Sequence, residues 1–187
     1  MPPPLARTNV EAHVYMELHP CETCGESRFE PESSVIMVDG DLASRYHGTC
    51  PTCGTEREFI FRIPDEILLP PTDRIRYGDD RPSELLDAGE WMWLADHITT
   101  RTPGDPADVP ADEREKHRLD LTAATAAVEE ALKFVPPGTD RVPLEALWTQ
   151  RGREVYRARP GRFARGSLLA VRDAYQDLVN AYGQRGR

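Results

Sequence analysis

Every cysteine in the chain lies in one of two short turns, Cys21-Glu22-Thr23-Cys24-Gly25 and Cys50-Pro51-Thr52-Cys53-Gly54. Two residues between thiols let a tight turn aim both sulfurs at one ion. A second such turn alongside completes the tetrahedral four-sulfur shell that Zn²⁺ prefers. A glycine after each pair takes positive φ without a Cβ clash, so the chain curls back and points amide N–H groups at the thiolates. The spacing predicts one structural Zn²⁺ held by Cys21, Cys24, Cys50 and Cys53. Two other chemistries use the same residues: a pair of redox dithiols, and secreted disulfides. A redox Cys-x-x-Cys should open a helix within a βαβ pattern, and neither pair has that context. Four thiolates fill the shell and leave no position for a metal-bound water, so the site predicts a structural role rather than a reaction.

Other chemistry is sparse. The sequence has no His-Glu-x-x-His, no Gly-x-x-x-x-Gly-Lys phosphate loop, no Gly-x-Gly-x-x-Gly and no Gly-x-Ser-x-Gly. With all cysteines on metal no thiol nucleophile remains, and the expectation is a protein that is not an enzyme. His19 and His47 precede the two cysteine pairs closely enough to be hydrogen-bonding supports of the thiolates or substitute ligands. His13, His97 and His117 read as surface or boundary histidines. Asp39, Asp41, Asp79 and Asp80 read as acids of solvated loops. One basic constellation stands out: Arg151, Arg153, Arg157, Arg159, Arg162 and Arg165, interleaved with Tyr156 and Phe163. Guanidiniums so clustered can clamp phosphates while an aromatic ring stacks on a base. The competing reading is an arginine-rich connector that pairs with the chain's own acids.

Charge favours the second. The chain of 187 residues carries −9, yet residues 140–187 hold ten arginines against five acids, which makes that segment +5 and residues 1–139 −14. So acidic a body repels a polyanion and suits a basic protein partner. No run of about 18 apolar residues is present, and the N-terminal Met1-Pro2-Pro3-Pro4-Leu5-Ala6-Arg7 lacks the basic and apolar regions of a signal peptide. The expectation is a cytoplasmic protein without a membrane span, in a reducing place where paired cysteines hold metal. Only Lys116 and Lys133 are lysine among 23 basic residues, an arginine bias that points to a GC-rich bacterial genome.

The elements that must position these residues follow from periodicity. Val10, Ala12, Val14, Met16 and Leu18 alternate with polar residues, which predicts a half-buried strand running into the first cysteine turn. Val35-Ile36-Met37-Val38 before Asp39-Gly40 predicts a strand and a tight turn, and Phe59, Phe61 and Ile63 predict one face of a further strand ended by Pro64. Helices are expected from about 83 to 98, capped by Ser83, from 111 to 134, from Pro143 toward Gly152, and from Ser167 to Gly183. Trp91 and Trp93 lie two apart on the first of these, so one can pack while the other faces a partner. The predicted class is α+β: a disordered lead over 1–8, a zinc-pinned antiparallel ribbon over 9–64, a linker or arm over 65–82, and about four helices over 83–183, packed on the ribbon or separate.

The run from Cys21-x-x-Cys-Gly to Cys50-Pro-x-Cys-Gly, with apolar strands after each turn, resembles the bacterial CpXC family and, more loosely, bacterial zinc ribbons at large. The resemblance covers about residues 10–64, and the first turn departs from it with Glu22 where the family has proline. It implies a zinc-bound β fold with the four cysteines as ligands and does not extend to the helical half. The functional expectation is a non-catalytic protein-interaction module, adaptor or immunity-like, with an acidic surface for a basic partner. The alternative is a nucleic-acid-associated factor that uses the arginine cluster.

Overall fold

The computed structural model describes residues 2–66 and 75–183. They form two compact units, one from the described residues of Met1–Leu69 with Tyr77–Asp79 and Ser83–Leu85, the other from those of Pro70–Arg76, Asp80–Pro82 and Leu86–Arg187. The class is α+β. The chain crosses between units more than once, so the expected linker is not a simple tether: Tyr77 and Gly78 are buried in the first unit. Residues 67–74 of that expected linker lie outside the described residues.

The first unit holds helix α1 (Asn9–Leu18) and strands β1 (Glu32–Val38), β2 (Asp41–Thr49) and β3 (Glu56–Arg62) in an antiparallel sheet of that order. The strand expected over residues 10–18 is therefore a helix. Over ten residues the two periods share Ala12, Met16 and Leu18, all buried here, so alternation alone does not choose between them. The cap decides: Thr8 Oγ1 accepts the Glu11 N–H at 3.1 Å, satisfying a donor that a starting helix leaves orphaned. Nor are residues 4–6 of the expected lead disordered. The Arg62 N–H donates to Pro4 O at 2.9 Å, and the Ala6 N–H to Arg62 O at 3.2 Å, laying residues 4–6 along β3. Arg7 is buried against Glu11, with side-chain exposures of 1% and 0%, and Ser83 Oγ donates to Glu11 Oε1 at 2.6 Å. The pairing lets both charges leave water, which neither could do alone.

Asp39 and Gly40 both take positive φ, 53° and 97°, the mirror-image turn whose twist matches a two-residue hairpin. It pairs Val38 with Asp41 and Met37 with Leu42. Across β2 and β3, Tyr46 pairs with Phe59 and Ser44 with Phe61, so those rings share one face. Helix α1 covers that face: Tyr46 Oη donates to Asn9 Oδ1 at 2.6 Å, and Tyr15 meets Phe61 and Phe59 edge-on at 5.4 and 6.1 Å.

The second unit contains α2 (Ala88–Thr99), α3 (Arg114–Leu132), α4 (Gln150–Ala158) and α5 (Arg165–Gly183). Buried Leu121, Ala124, Ala127, Val128 and Ala131 line α3 at helical spacing, and this small-residue face meets α2 and α5. Val109, Leu121 and Tyr182 form a cluster with the half-buried Tyr175, Leu178 and Val179 of α5. Three boundaries differ from expectation. α2 is capped by Asp87, not Ser83, which belongs to the first unit. Pro143 introduces only a single 3₁₀ turn, Leu144–Ala146, and the true helix begins after the Thr149 cap. α5 starts at Arg165 rather than at Ser167.

Asp87 explains the first of these shifts and part of the second. Its Oδ1 accepts the Glu90 N–H of α2 at 2.8 Å, and its Oδ2 accepts the Thr149 N–H and hydroxyl at the start of α4 at 2.7 and 2.8 Å. One buried carboxylate thus serves the beginnings of two helices. They cross through glycines: a Cβ on Gly89 would lie 2.4 Å from Gly152 Cα, and one on Gly152 would lie 2.1 Å from Asp87 Oδ1.

Candidate metal centre

The first cysteine turn follows α1 directly, and the second joins β2 to β3. Each turn closes in the same way. The Gly25 N–H donates to Cys21 O at 2.8 Å and the Gly54 N–H to Cys50 O at 2.9 Å, while the Cys21 and Cys50 N–H groups donate to Glu26 O and Thr55 O, both at 2.8 Å. Gly25 and Gly54 sit at φ 75° and 72°, the left-handed region that lets each turn fold back on its sulfurs.

All four Sγ atoms lie within 4.8 Å of one another. Cys21 Sγ is 3.6 Å from Cys53 Sγ, and Cys24 Sγ is 3.5 Å from Cys50 Sγ. Bonds of about 2.3 Å in a tetrahedron set the sulfurs about 3.8 Å apart, so the cluster fits a four-coordinate ion. The cysteines are free thiols, and these contacts run from one turn to the other rather than within either Cys-x-x-Cys pair. Cys21 and Cys50 are buried, Cys24 and Cys53 exposed. The centre is therefore half-sunk, with one thiol of each turn facing solvent.

The turns are related by a local two-fold that exchanges Cys21 with Cys50 and Cys24 with Cys53. Polar side chains obey it: Thr52 Oγ1 donates to Glu26 Oε2 at 2.8 Å, and the Thr55 and Thr23 hydroxyls meet at 3.2 Å. In each case one turn's third residue meets the other turn's sixth. The signal was present in the sequence, since Cys-x-Thr-Cys-Gly recurs, but only the folded arrangement shows that the threonines tie one turn to the other.

The electrostatics favour thiolate at two of the four sulfurs, Cys21 and Cys53. Amide N–H groups of Thr23 and Cys24 lower the Cys21 thiol, and the Thr55 hydroxyl with its amide pulls Cys53 down to about 6. Cys24 takes the Glu26 amide yet is pushed up to about 12 by sharing the cluster with Cys53. Four sulfurs this close shed all their protons only to a cation. Beside them, the Arg28 guanidinium and amide, with Thr52, hold the Glu26 carboxyl down at about 2.

One support was missed in the sequence. Buried Arg57 donates to the carbonyls of Met16 and His19 at 3.3 and 2.6 Å, closing the end of α1, and lies over the Phe29 ring at 4.3 Å. It ties the helix before the first turn to the strand after the second. The histidines take no part in the cluster. His19 stacks on Tyr15 at 3.8 Å with Nδ1 on the Tyr15 carbonyl, and His47 Nε2 faces Glu32 at 3.7 Å.

The arginine cluster is dispersed over α4, a 3₁₀ turn at Pro160–Phe163 and the start of α5, rather than being a connector. Arg162 makes a two-pronged bridge to Asp96 at 2.6 and 2.8 Å. Arg165 donates to Val135, Pro136 and Thr139 carbonyls, and Arg153 to Leu147 O. Arg151 faces Glu90 at 3.5 Å and covers the Trp93 ring at 4.8 Å. Arg157 and Arg159 are exposed. Trp91 is fully buried and Trp93 half-buried, stacked on His97 at 4.7 Å. A shallow cleft of about 560 Å³ beside Trp93 is lined by Gln150, Arg151, Glu154, Val155 and Ala158.

No helix among the described residues is long and apolar enough to cross a membrane. Comparison with protein-family models, curated proteins and solved structures finds no match to this chain, so its likeness to the CpXC family rests on the cysteine motifs alone.

Proposed function

We propose that this chain is a non-catalytic zinc-binding interaction module whose acidic first unit receives a basic protein, as an adaptor or an immunity-type inhibitor does. The observation that carries this reading is where the arginines are used. Arg151, Arg153, Arg162 and Arg165 contact groups of their own helical unit, which leaves little of the cluster to hold a phosphate backbone. Zinc is the metal that a closed shell of four thiolates suits best, and it adds no redox chemistry. Four thiolates and Zn²⁺ together carry a formal −2. Close to them in the chain Glu22, Glu30 and Glu56 are exposed, a field that attracts a cationic surface and speeds its docking.

The second reading keeps one specific observation: Arg157 and Arg159 are exposed beside half-buried Tyr156, the residue types that grip a single strand. Oligonucleotide titration at several salt concentrations separates the two. The interaction reading expects no binding tighter than micromolar near physiological salt, and affinity capture from the native host, with nucleic acid removed, retaining a basic protein. Submicromolar oligonucleotide binding, steeply salt-dependent and abolished by Arg157→Ala with Arg159→Ala, overturns it. Elemental analysis tests the metal: one zinc per chain is expected, and iron or none refutes it.

A further inference from the structure

Among the described residues nothing pairs with the outer edge of β1. In the two-residue hairpin Val38 and Asp41 face each other, so the backbone groups of alternate residues, Ser33, Val35 and Met37, point away from β2. The neighbouring ladder agrees: Leu42, the partner of Met37, sends its carbonyl toward β3, where it accepts the Ile63 N–H at 2.9 Å. Among the described residues no other segment bonds to those three backbones. The opposite edge is closed by residues 4–6 along β3, so the two edges of the sheet are treated differently.

The side chains there are also unusual for a solvent edge. Val35 and Met37 are each 64% exposed and Leu42, across from Met37, is 53% exposed. They share the sheet face that carries Tyr46 and Phe61, beyond the part α1 covers. Soluble proteins blunt a free edge with charge, proline or a bulge, yet from Ser33 to Val38 no residue is charged and none is proline. Acids stand only at the ends, Glu32 at one and Asp39 with Asp41 at the other, all exposed.

We propose that this edge is where the partner docks: an extended segment with basic residues at both ends adds to β1 as a further strand, its apolar side chains lying on Val35, Met37 and Leu42. This rests on the first unit's reading as acceptor of a basic protein. The end charges select the occupant. In a second copy of this chain, antiparallel pairing centred on Val35 sets Glu32 opposite Val38 and next to Asp39. Parallel pairing sets Glu32 beside Glu32 and Asp39 beside Asp39. Both stack like charges at each end, which opposes strand pairing, whereas arginine or lysine at those places is attracted. Main-chain bonds supply affinity and alternate side chains supply choice.

The test uses the full, zinc-loaded chain and calorimetric titration with a synthetic peptide of alternating valine and threonine flanked by arginines. Binding is expected, weakened at least about tenfold when alternate peptide amides are N-methylated, because the lost hydrogen bonds leave charge and composition unchanged. Flanking the peptide with glutamates should abolish binding. Val35→Pro removes one outward donor at a position an edge tolerates, and Met37→Lys places a like charge under the incoming arginines. Each should weaken binding about tenfold with zinc content and circular dichroism unchanged, and Met37→Lys serves if the proline variant fails to fold. Equal binding of the methylated peptide overturns the edge while the basic-partner reading stands. Failure of the arginine-flanked peptide alone overturns the edge, and failure of both it and an unstructured basic peptide overturns the basic-partner reading as well. A dimer in sedimentation that Met37→Lys returns to monomer overturns the proposal in favour of a second copy.

Discussion

Glu90→Gln should make the helical unit more stable, and increasingly so as pH rises. Glu90 is 2% exposed at the third position of α2, where its carboxylate accepts the Asp87 N–H at 3.4 Å and faces Arg151 at 3.5 Å. Burial first and the charge of Asp87 second push this carboxyl up from 4.5 to about 7, against the opposing pull of the Asp87 amide and Arg151. A folded pKa above the unfolded value means that the fold holds this proton more tightly than the unfolded chain. Its contribution is fully present below pH 4.5 and is lost as pH rises through about 7. At about 1.4 kcal/mol per tenfold, the loss is on the order of 3 kcal/mol between pH 5 and 8. Glutamine keeps an oxygen for the Asp87 N–H and gives up the charge that Arg151 and the Thr149 hydroxyl favour, the Arg151 contact being worth about 0.5–1 kcal/mol. Urea melts followed by tryptophan fluorescence report this unit alone, since Trp91, Trp93 and Trp148 all lie in it. The difference between wild type and variant isolates Glu90 because every other titrating group is common to both. Stability profiles that run parallel from pH 5 to 8 would refute the reasoning.

Chelation, or Cys50→Ser, should release the metal and open the first unit, because a structural zinc supplies on the order of 10 kcal/mol. Amide exchange should accelerate in β1–β3 while tryptophan fluorescence holds, and unchanged metal content would remove Cys50 from the ligands. Gly152→Ala should cost about 2–4 kcal/mol, since the new methyl would sit 2.1 Å from Asp87 Oδ1 and displace a carboxylate that serves two helices. Gly161→Ala, with nothing within 4 Å, should stay within about 0.5 kcal/mol; equal effects in urea melts would show that the crossing is not tight. Leu121→Ala, at 1% exposure, should cost about 2–5 kcal/mol. Leu178→Ala, only half-buried on α5, should cost about 1 kcal/mol, and a reversed order in thermal melts would put the α3–α5 packing in error.

What the sequence determined by itself is what a few neighbouring residues settle. Two residues between thiols and a glycine after them suffice to shape each cysteine turn, and Asp39-Gly40 suffices for the hairpin. Long apolar stripes sufficed for α3 and α5, because a helix of that length repeats its face several times. α1 was misread because ten residues carry both periods, and the choice fell to Thr8 as cap, to Arg7 neutralising Glu11, and to Tyr46 and Phe61 across the sheet. β2 escaped notice because its polar sequence is held by the neighbours on either side. The start of α2 moved from Ser83 to Asp87 because Asp87 also receives Thr149, 62 residues away, a partner no local pattern contains. The same holds for the site. That four cysteines bind one ion was legible in their spacing. That Thr52 reaches Glu26, that Arg57 closes α1, and that most of the clustered arginines are engaged within their own unit depended on which distant groups folding brought within hydrogen-bond reach.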